Sequence, residues 1–399
     1  MKAAPVWICC QLGAREHYAA PRALHRAGRL ARLVTDAWSP APLRGIGRLG
    51  QRYDPDLATA DVTSFTPSLL GSEVLWRISG YRGWDHFIAR NRWFQSRAAS
   101  SLRRMREQRP ALVFAHSYAA RDIFTAAKRR GWTTVLGQID PGPEHYAIQE
   151  RINGLRSEYK PFADSPPAQY FESWRDECAL ADHIVVNSRW SEELVGRAGV
   201  PQSKMRVISL PYEASGTATS FQREHVLAYS ATRPLRALFV GTASVTKGVP
   251  EILEAVERLA DAPIEVHFVG HLAIEIPRRF RAHPKVRWVG PVDRDAVMNF
   301  YRTSDVLLFP SHSDGFGMAQ VEATAWSLPI VASRHCGEVV RDGETGIVLD
   351  HVSSDTLAAA LRRLIAEPGR LAAFTTRARH GVSATLASFG EGLLALERT

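Results

Sequence analysis

Short apolar runs recur along the chain, separated by stretches whose apolar residues have helical spacing. The first run, VWICCQ at 6–11, is followed by a helical pattern at 16–28. Further strand-like runs lie at 30–38, 111–116, 133–139, 183–188 and 205–211. Helical patterns at 120–131, 170–182 and 189–199 separate them. Short, nearly continuous apolar strands alternating with helices predict a parallel sheet covered on both faces. Residues 212–234 are polar, lack helical periodicity and read as a linker. The alternation then restarts, with strands at 236–241, 264–270, 286–290, 305–310, 329–333 and 345–350. The helix at 248–261 has proline in its first turn, where the missing N–H costs nothing.

The pattern predicts an α/β protein of two Rossmann-like, doubly wound domains. The first spans 1–213 and the second 214–375. A helical tail at 376–399 is expected to pack back on the first domain. Ligands of such folds bind in the cleft beyond the carboxyl ends of the strands. A length of 399 residues fits two domains. No apolar run approaches the roughly 20 residues needed to span a bilayer. The start, MKAAPVWICCQLG, has a short apolar run behind a single lysine and reads as a buried strand, not a signal peptide. Four cysteines, with Cys9 and Cys10 adjacent, show neither ligand spacing nor a disulfide framework, which favours the cytoplasm. The net charge of +9 favours acidic partners such as nucleotides or an anionic membrane, or reflects an arginine-rich proteome. No nucleic-acid-binding module accompanies it.

The candidate chemistry sits in SHSDGFGMAQVEATAWSLPIVAS, residues 311–333. Gly315 and Gly317 allow a close backbone approach and unusual dihedrals. A helix beginning near Met318 presents free N–H groups and a partial positive charge, an anion site. Glu322, about one turn further on, can accept two hydrogen bonds from a ribose diol. Upstream, FVGTASVTKG ends a strand at Gly241 and places Lys247 at the next helix start, where it can neutralise a diphosphate.

These motifs, with DVLLFPS, the spacing from Asp314 to Glu322, SLPIVAS and GEVVRDGETGIVL, resemble the retaining nucleotide-sugar glycosyltransferases of the GT-B type, family 4. The likeness covers roughly residues 180–350. It implies transfer of a sugar from a nucleoside-diphosphate sugar to an acceptor hydroxyl, in glycan, glycolipid or glycosylated-metabolite biosynthesis. It implies that Glu322 binds ribose, that Asp314 and the backbone of Gly315, Phe316, Gly317 and Met318 face sugar and phosphates, and that Lys247 binds the diphosphate. Val292 then borders the base, and Gly13 and Ala14 lie under the donor. No Asp-x-Asp motif stands near the cleft, so neither a divalent metal nor a cofactor beyond the donor is expected.

Three positions depart from the family pattern. Asp314 replaces the usual glutamate, and Thr242 stands where an arginine is usual. The histidine often found near the reacting centre has no fixed counterpart; Gln138, Asp140, His145 and His116 are the candidates. Two other readings stay open: a sugar-nucleotide epimerase or phosphorylase on the same fold, and a non-catalytic sugar-nucleotide-binding protein. Residues 70–109 hold nine arginines against Glu73, Asp85 and Glu107, interleaved with Trp76, Tyr81, Trp84, Phe87, Trp93 and Phe94. This stretch suits contact with an anionic membrane near a lipid-linked acceptor, or a solvated helix pair whose aromatics pack inward.

Overall fold

A computed structural model describes residues 4–39, 52–378 and 384–398. The predicted tail at 376–399 therefore falls partly, at 379–383 and 399, outside the described residues. The first sheet contains β1 (Val6–Gln11), β2 (Leu30–Thr35), β3 (Val62–Ser64), β4 (Ala111–His116), β5 (Thr133–Gly137), β6 (His183–Val186) and β7 (Met205–Val207). The second contains β8 (Leu235–Val240), β9 (Ile264–Val269), β10 (Val286–Gly290), β11 (Val306–Phe309), β12 (Ile330–Ser333) and β13 (Gly346–Leu349). Their orders are β3-β2-β1-β4-β5-β6-β7 and β10-β9-β8-β11-β12-β13, and every pairing is parallel. In each sheet the order reverses between β1 and β4, or between β8 and β11, which opens a crevice at the carboxyl ends. The central strands are buried on both faces, which explains their unbroken apolar runs.

Three features differ from the sequence expectation. The edge strand β3 was not anticipated: it has three half-buried residues and no apolar run. The first helix begins at Ala19, not residue 16, because Glu16, His17 and Tyr18 take successive left-handed conformations. The stretch read as a linker is anchored to the second domain. Arg223 donates to the carbonyls of Tyr301 (2.6 Å), Trp326 (3.0 Å) and Ser327 (3.1 Å), oxygens left open where two helices end.

The domains touch along one wall of the cleft. Arg156 pairs with Glu251 (2.9 Å) and Glu254 (2.7 Å), and Arg279 with Glu158 (2.6 Å). Pro161 and Ile274 form an antiparallel bridge. The helix Leu386–Ala395 lies on the first domain, with Gly390 against Ala23. Beyond it, Glu397 accepts a hydrogen bond from Trp7 Nε1 at 2.8 Å.

Candidate active-site cleft

In the second domain, β11 leads through residues 310–317 to the helix Met318–Ala325. Gly317 caps that helix at φ 85°, and a β-carbon there would stand 2.4 Å from Phe309 Cζ. Both conditions select glycine. Gly317→Ala is expected to cost about 2–4 kcal/mol, from left-handed strain plus overlap, in a denaturant melt of the whole protein.

Lys247 reaches across to this loop. Its ammonium pairs with the Asp314 carboxylate and stands 5.4 Å from the Phe309 ring centroid. Two residues placed in one site by the motifs are thus in contact, 67 positions apart in the chain. Gly241 ends β8 with its N–H bonded to Val269, and Thr242 is exposed beside it. Gly315 is used differently from the expectation. Its φ is not left-handed, and its carbonyl accepts from Ser188 and Ser191 of the first domain. Phe316 is buried in an apolar cluster with Val321, so only its backbone is available to a ligand.

Glu322 lies in the second turn of the helix and accepts a hydrogen bond from the Tyr301 hydroxyl at 2.7 Å. Burial pushes its carboxyl above the ordinary value, against the opposing pull of Tyr301 and Arg294. Val292 is half-buried at the edge of the neighbouring apolar cluster. A cavity of about 200 Å³ between the domains is lined by Arg294 and Met318 from one side and by His17, Arg22 and Tyr212 from the other.

In the first domain, Gly13 (φ 80°) donates its N–H to Asp36 at 2.9 Å, and Ala14 leads into the left-handed turn at 16–18. Gly13, Arg15, Arg52, Arg90, His116 and Ile139 line a second cavity of about 310 Å³. Asp36, fully buried, binds Arg52 (3.2 Å) and Arg90 (2.8 Å) and aligns both guanidinium groups. The Arg15 guanidinium makes no hydrogen bond or ion pair with another described residue. Burial, reinforced by Arg15, pushes the His116 imidazole down to about 3, so it is neutral at pH 7. Its Nδ1 is buried with no hydrogen-bond partner among the described residues.

Asp140 follows β5 and is half-buried. Its carboxylate accepts from the Tyr118 hydroxyl (2.8 Å), the Gly142 N–H (2.9 Å) and Gln138 Nε2 (3.3 Å). Those bonds spend it on shaping its own loop. His145 instead reaches the other domain, with Nδ1 2.9 Å from Ser313 Oγ, which also accepts from Trp190 Nε1 at 3.1 Å. Burial lowers its pKa; Asp140 and Asp314 oppose that and Lys247 adds to it, so all four share one neighbourhood. Among the described residues no group of three or more His, Cys, Asp or Glu side chains is arranged to hold a metal ion.

The sequence reading missed Arg15, Arg52, Arg90 and Asp36. The acid closing LVTD, just beyond a buried strand, was the available signal. The arginines were hidden among the 50 basic residues.

A family model for glycosyl transferases group 1 matches residues 228–381. The second domain is a group 1 glycosyltransferase domain. It carries Lys247, Asp314, Gly317 and Glu322, the residues assembled above. The chain is 36% identical over 124 residues to a D-inositol 3-phosphate glycosyltransferase of Rhodococcus jostii, covering 30% of this chain and 27% of that protein. It is 30% identical over 222 residues to one of Geodermatophilus obscurus, covering 50% and 49%. The matches thus span between about a quarter and a half of these relatives' length. Among solved structures, sucrose-phosphate synthase from Thermosynechococcus elongatus superposes over 99% of this chain and 98% of its own, with TM-score 0.65 and 17% identity. Anabaena HepE, solved in complex with UDP-glucose, covers 99% of both chains with TM-score 0.62 and 14% identity. The group 1 domain and its partner domain together have the GT-B fold.

Proposed function

We propose that the protein is a glycosyltransferase that moves a sugar from a nucleoside-diphosphate sugar to an acceptor hydroxyl with retention. The observation that carries this reading is the contact of Lys247 with Asp314 at the start of the helix that bears Glu322. The lysine and the acid neutralise each other. A bound diphosphate would exchange with Asp314 for the lysine and take the free N–H groups at Met318. Glu322 would hold the ribose. The known complexes of a GT-B neighbour with UDP and UDP-glucose favour a uridine nucleotide as the first donor to try.

As the glycosidic bond breaks, negative charge grows on the leaving phosphate oxygen. Lys247 and the helix start would face that oxygen and stabilise the charge without reorganising. The acceptor hydroxyl attacks the sugar carbon from the face the phosphate leaves, and its proton passes to the departing phosphate. This route needs no protein carboxylate at the reacting carbon, in keeping with Asp140 being held by neighbouring donors. It also needs no divalent metal. His116 lines the cavity beside this route and is neutral at pH 7.

The basic cavity beside Gly13 and His116 is the natural acceptor site. Three arginines against one buried aspartate call for an anionic group on the acceptor, a phosphate above all. The relatives are named for a phosphorylated polyol, D-inositol 3-phosphate. The reaction would take place in the cytoplasm or at the inner face of the membrane. The test is turnover of UDP-, GDP-, ADP- and dTDP-sugars against phosphorylated and unphosphorylated polyols. Transfer is expected to the phosphorylated series, and Arg15→Ala is expected to raise the acceptor KM about ten- to a hundredfold with little change in donor KM. Epimer formation, or donor binding without turnover on any acceptor, would reject the reading.

A further inference from the structure

The aromatics of the basic stretch pack inward for the most part. Phe94 is fully buried, and Trp76 and Trp93 stack edge-on with centroids 6.2 Å apart. The helix Thr66–Ile78 is nonetheless inverted. Its inner face holds Leu69, Glu73 and Trp76, with Glu73 bonded to His86 at 2.8 Å. Its outer face carries Leu70, Val74, Leu75 and Ile78, exposed at 54%, 58%, 64% and 78%. Positions 70, 74 and 78 fall on one line along the helix, with 75 beside it. A surface helix of a water-soluble domain carries its apolar stripe inward. Four large aliphatic side chains on the outer face of one helix mark a binding surface.

The charge around this stripe says what covers it. Arg77 and Arg82 are exposed at its carboxyl end, and Arg92 and Arg97 are exposed on the following helix, Gly83–Arg104. Asp85 is the one fully exposed acid between residues 66 and 104, because Glu73 is turned toward His86. Aliphatic side chains bordered by guanidinium groups match a bilayer surface, where the chains enter the acyl boundary and the arginines stay among lipid phosphates. Tyr81, 44% exposed, adds a side chain suited to the headgroup layer.

We propose that the outer face of the helix Thr66–Ile78 docks the protein on an anionic lipid bilayer. Among the described residues no helix is long and apolar enough to cross a membrane, so docking is peripheral. Arg90, which lines the basic cavity, lies 3.6 Å from Glu73 on the inner face of the same helix. A docked helix therefore holds that cavity close to the headgroups. This assignment rests on the exposed stripe and not on the reaction.

Vesicle sedimentation tests it with the purified full chain and no substrate. The wild-type protein is expected to sediment with phosphatidylcholine vesicles containing phosphatidylglycerol at low salt, and much less with phosphatidylcholine alone. Leu75→Ser with Ile78→Ser is expected to lower the partition coefficient on the order of a hundredfold. Arg77→Glu with Arg82→Glu is expected to lower it at least about tenfold, and added salt to mimic that loss. Circular dichroism of both variants should match wild type, since all four positions are exposed. Failure of the wild type to bind anionic vesicles, or serine variants that bind as well as wild type, would overturn the assignment. So would a wild-type dimer in analytical ultracentrifugation that the serine variants convert to monomer, since a second copy would then be what covers the face.

Discussion

Lys247→Ala is expected to lower kcat/KM for the donor by about a hundred- to a thousandfold, the usual effect of removing one preorganised group facing developing charge. Two effects combine. The diphosphate loses its cationic partner, and Asp314 is left as an uncompensated carboxylate pointing at the same anion. Lys247→Ala combined with Asp314→Asn should therefore recover part of the loss, although it removes a second charged group from the cleft. Thr242 leaves room for a second cation: it is exposed at the end of β8, and Thr242→Arg should hold or improve donor binding. Steady-state kinetics on the four proteins checks the set. A double variant no better than Lys247→Ala would show that Asp314 contacts the substrate in its own right, and a near-normal Lys247→Ala would remove the lysine from the site.

Glu322→Gln is expected to weaken nucleotide binding by about 1–3 kcal/mol while leaving the fold intact. The half-buried carboxylate accepts a Tyr301 hydrogen bond, and glutamine retains an acceptor for it. What glutamine loses is the charge that strengthens bonds from ribose hydroxyls. The pH dependence has a definite sign. Because burial holds the Glu322 carboxyl above its usual 4.5, protonation begins at higher pH than for an exposed glutamate. Wild-type affinity should fall as the pH is lowered through that raised pKa, and the glutamine variant should lack this step. Isothermal titration of UDP at several pH values measures both. Equal affinities, or an acid limb of the same size in the variant, would place the ribose elsewhere.

The second domain was the more legible half of the molecule. Four of its six strands end at glycine or proline, and Lys247, Asp314 and Glu322 stand at fixed distances from strand ends. Local chain geometry thus sets where they lie. The first domain's site is assembled from side chains far apart in sequence. Arg15, Arg52 and Arg90 meet only because Asp36, at the end of β2, binds two of them in the interior. No spacing rule announces such a contact. The left-handed turn at Glu16–Tyr18 was hidden for another reason: none of the three is glycine, so the surrounding packing and not local preference holds it. The role of Arg223 was likewise invisible, since a basic residue in a polar stretch reads as solvated until the helix ends it caps are in place.

The most direct test of the cleft is a crystal structure of the protein grown with UDP. The expected result has diphosphate oxygens within hydrogen-bond reach of the Met318 N–H and of Lys247 Nζ, with Asp314 released from the lysine and the ribose hydroxyls on Glu322. UDP bound away from these residues, or a cleft in which Lys247 and Asp314 stay paired beside a bound diphosphate, would contradict it.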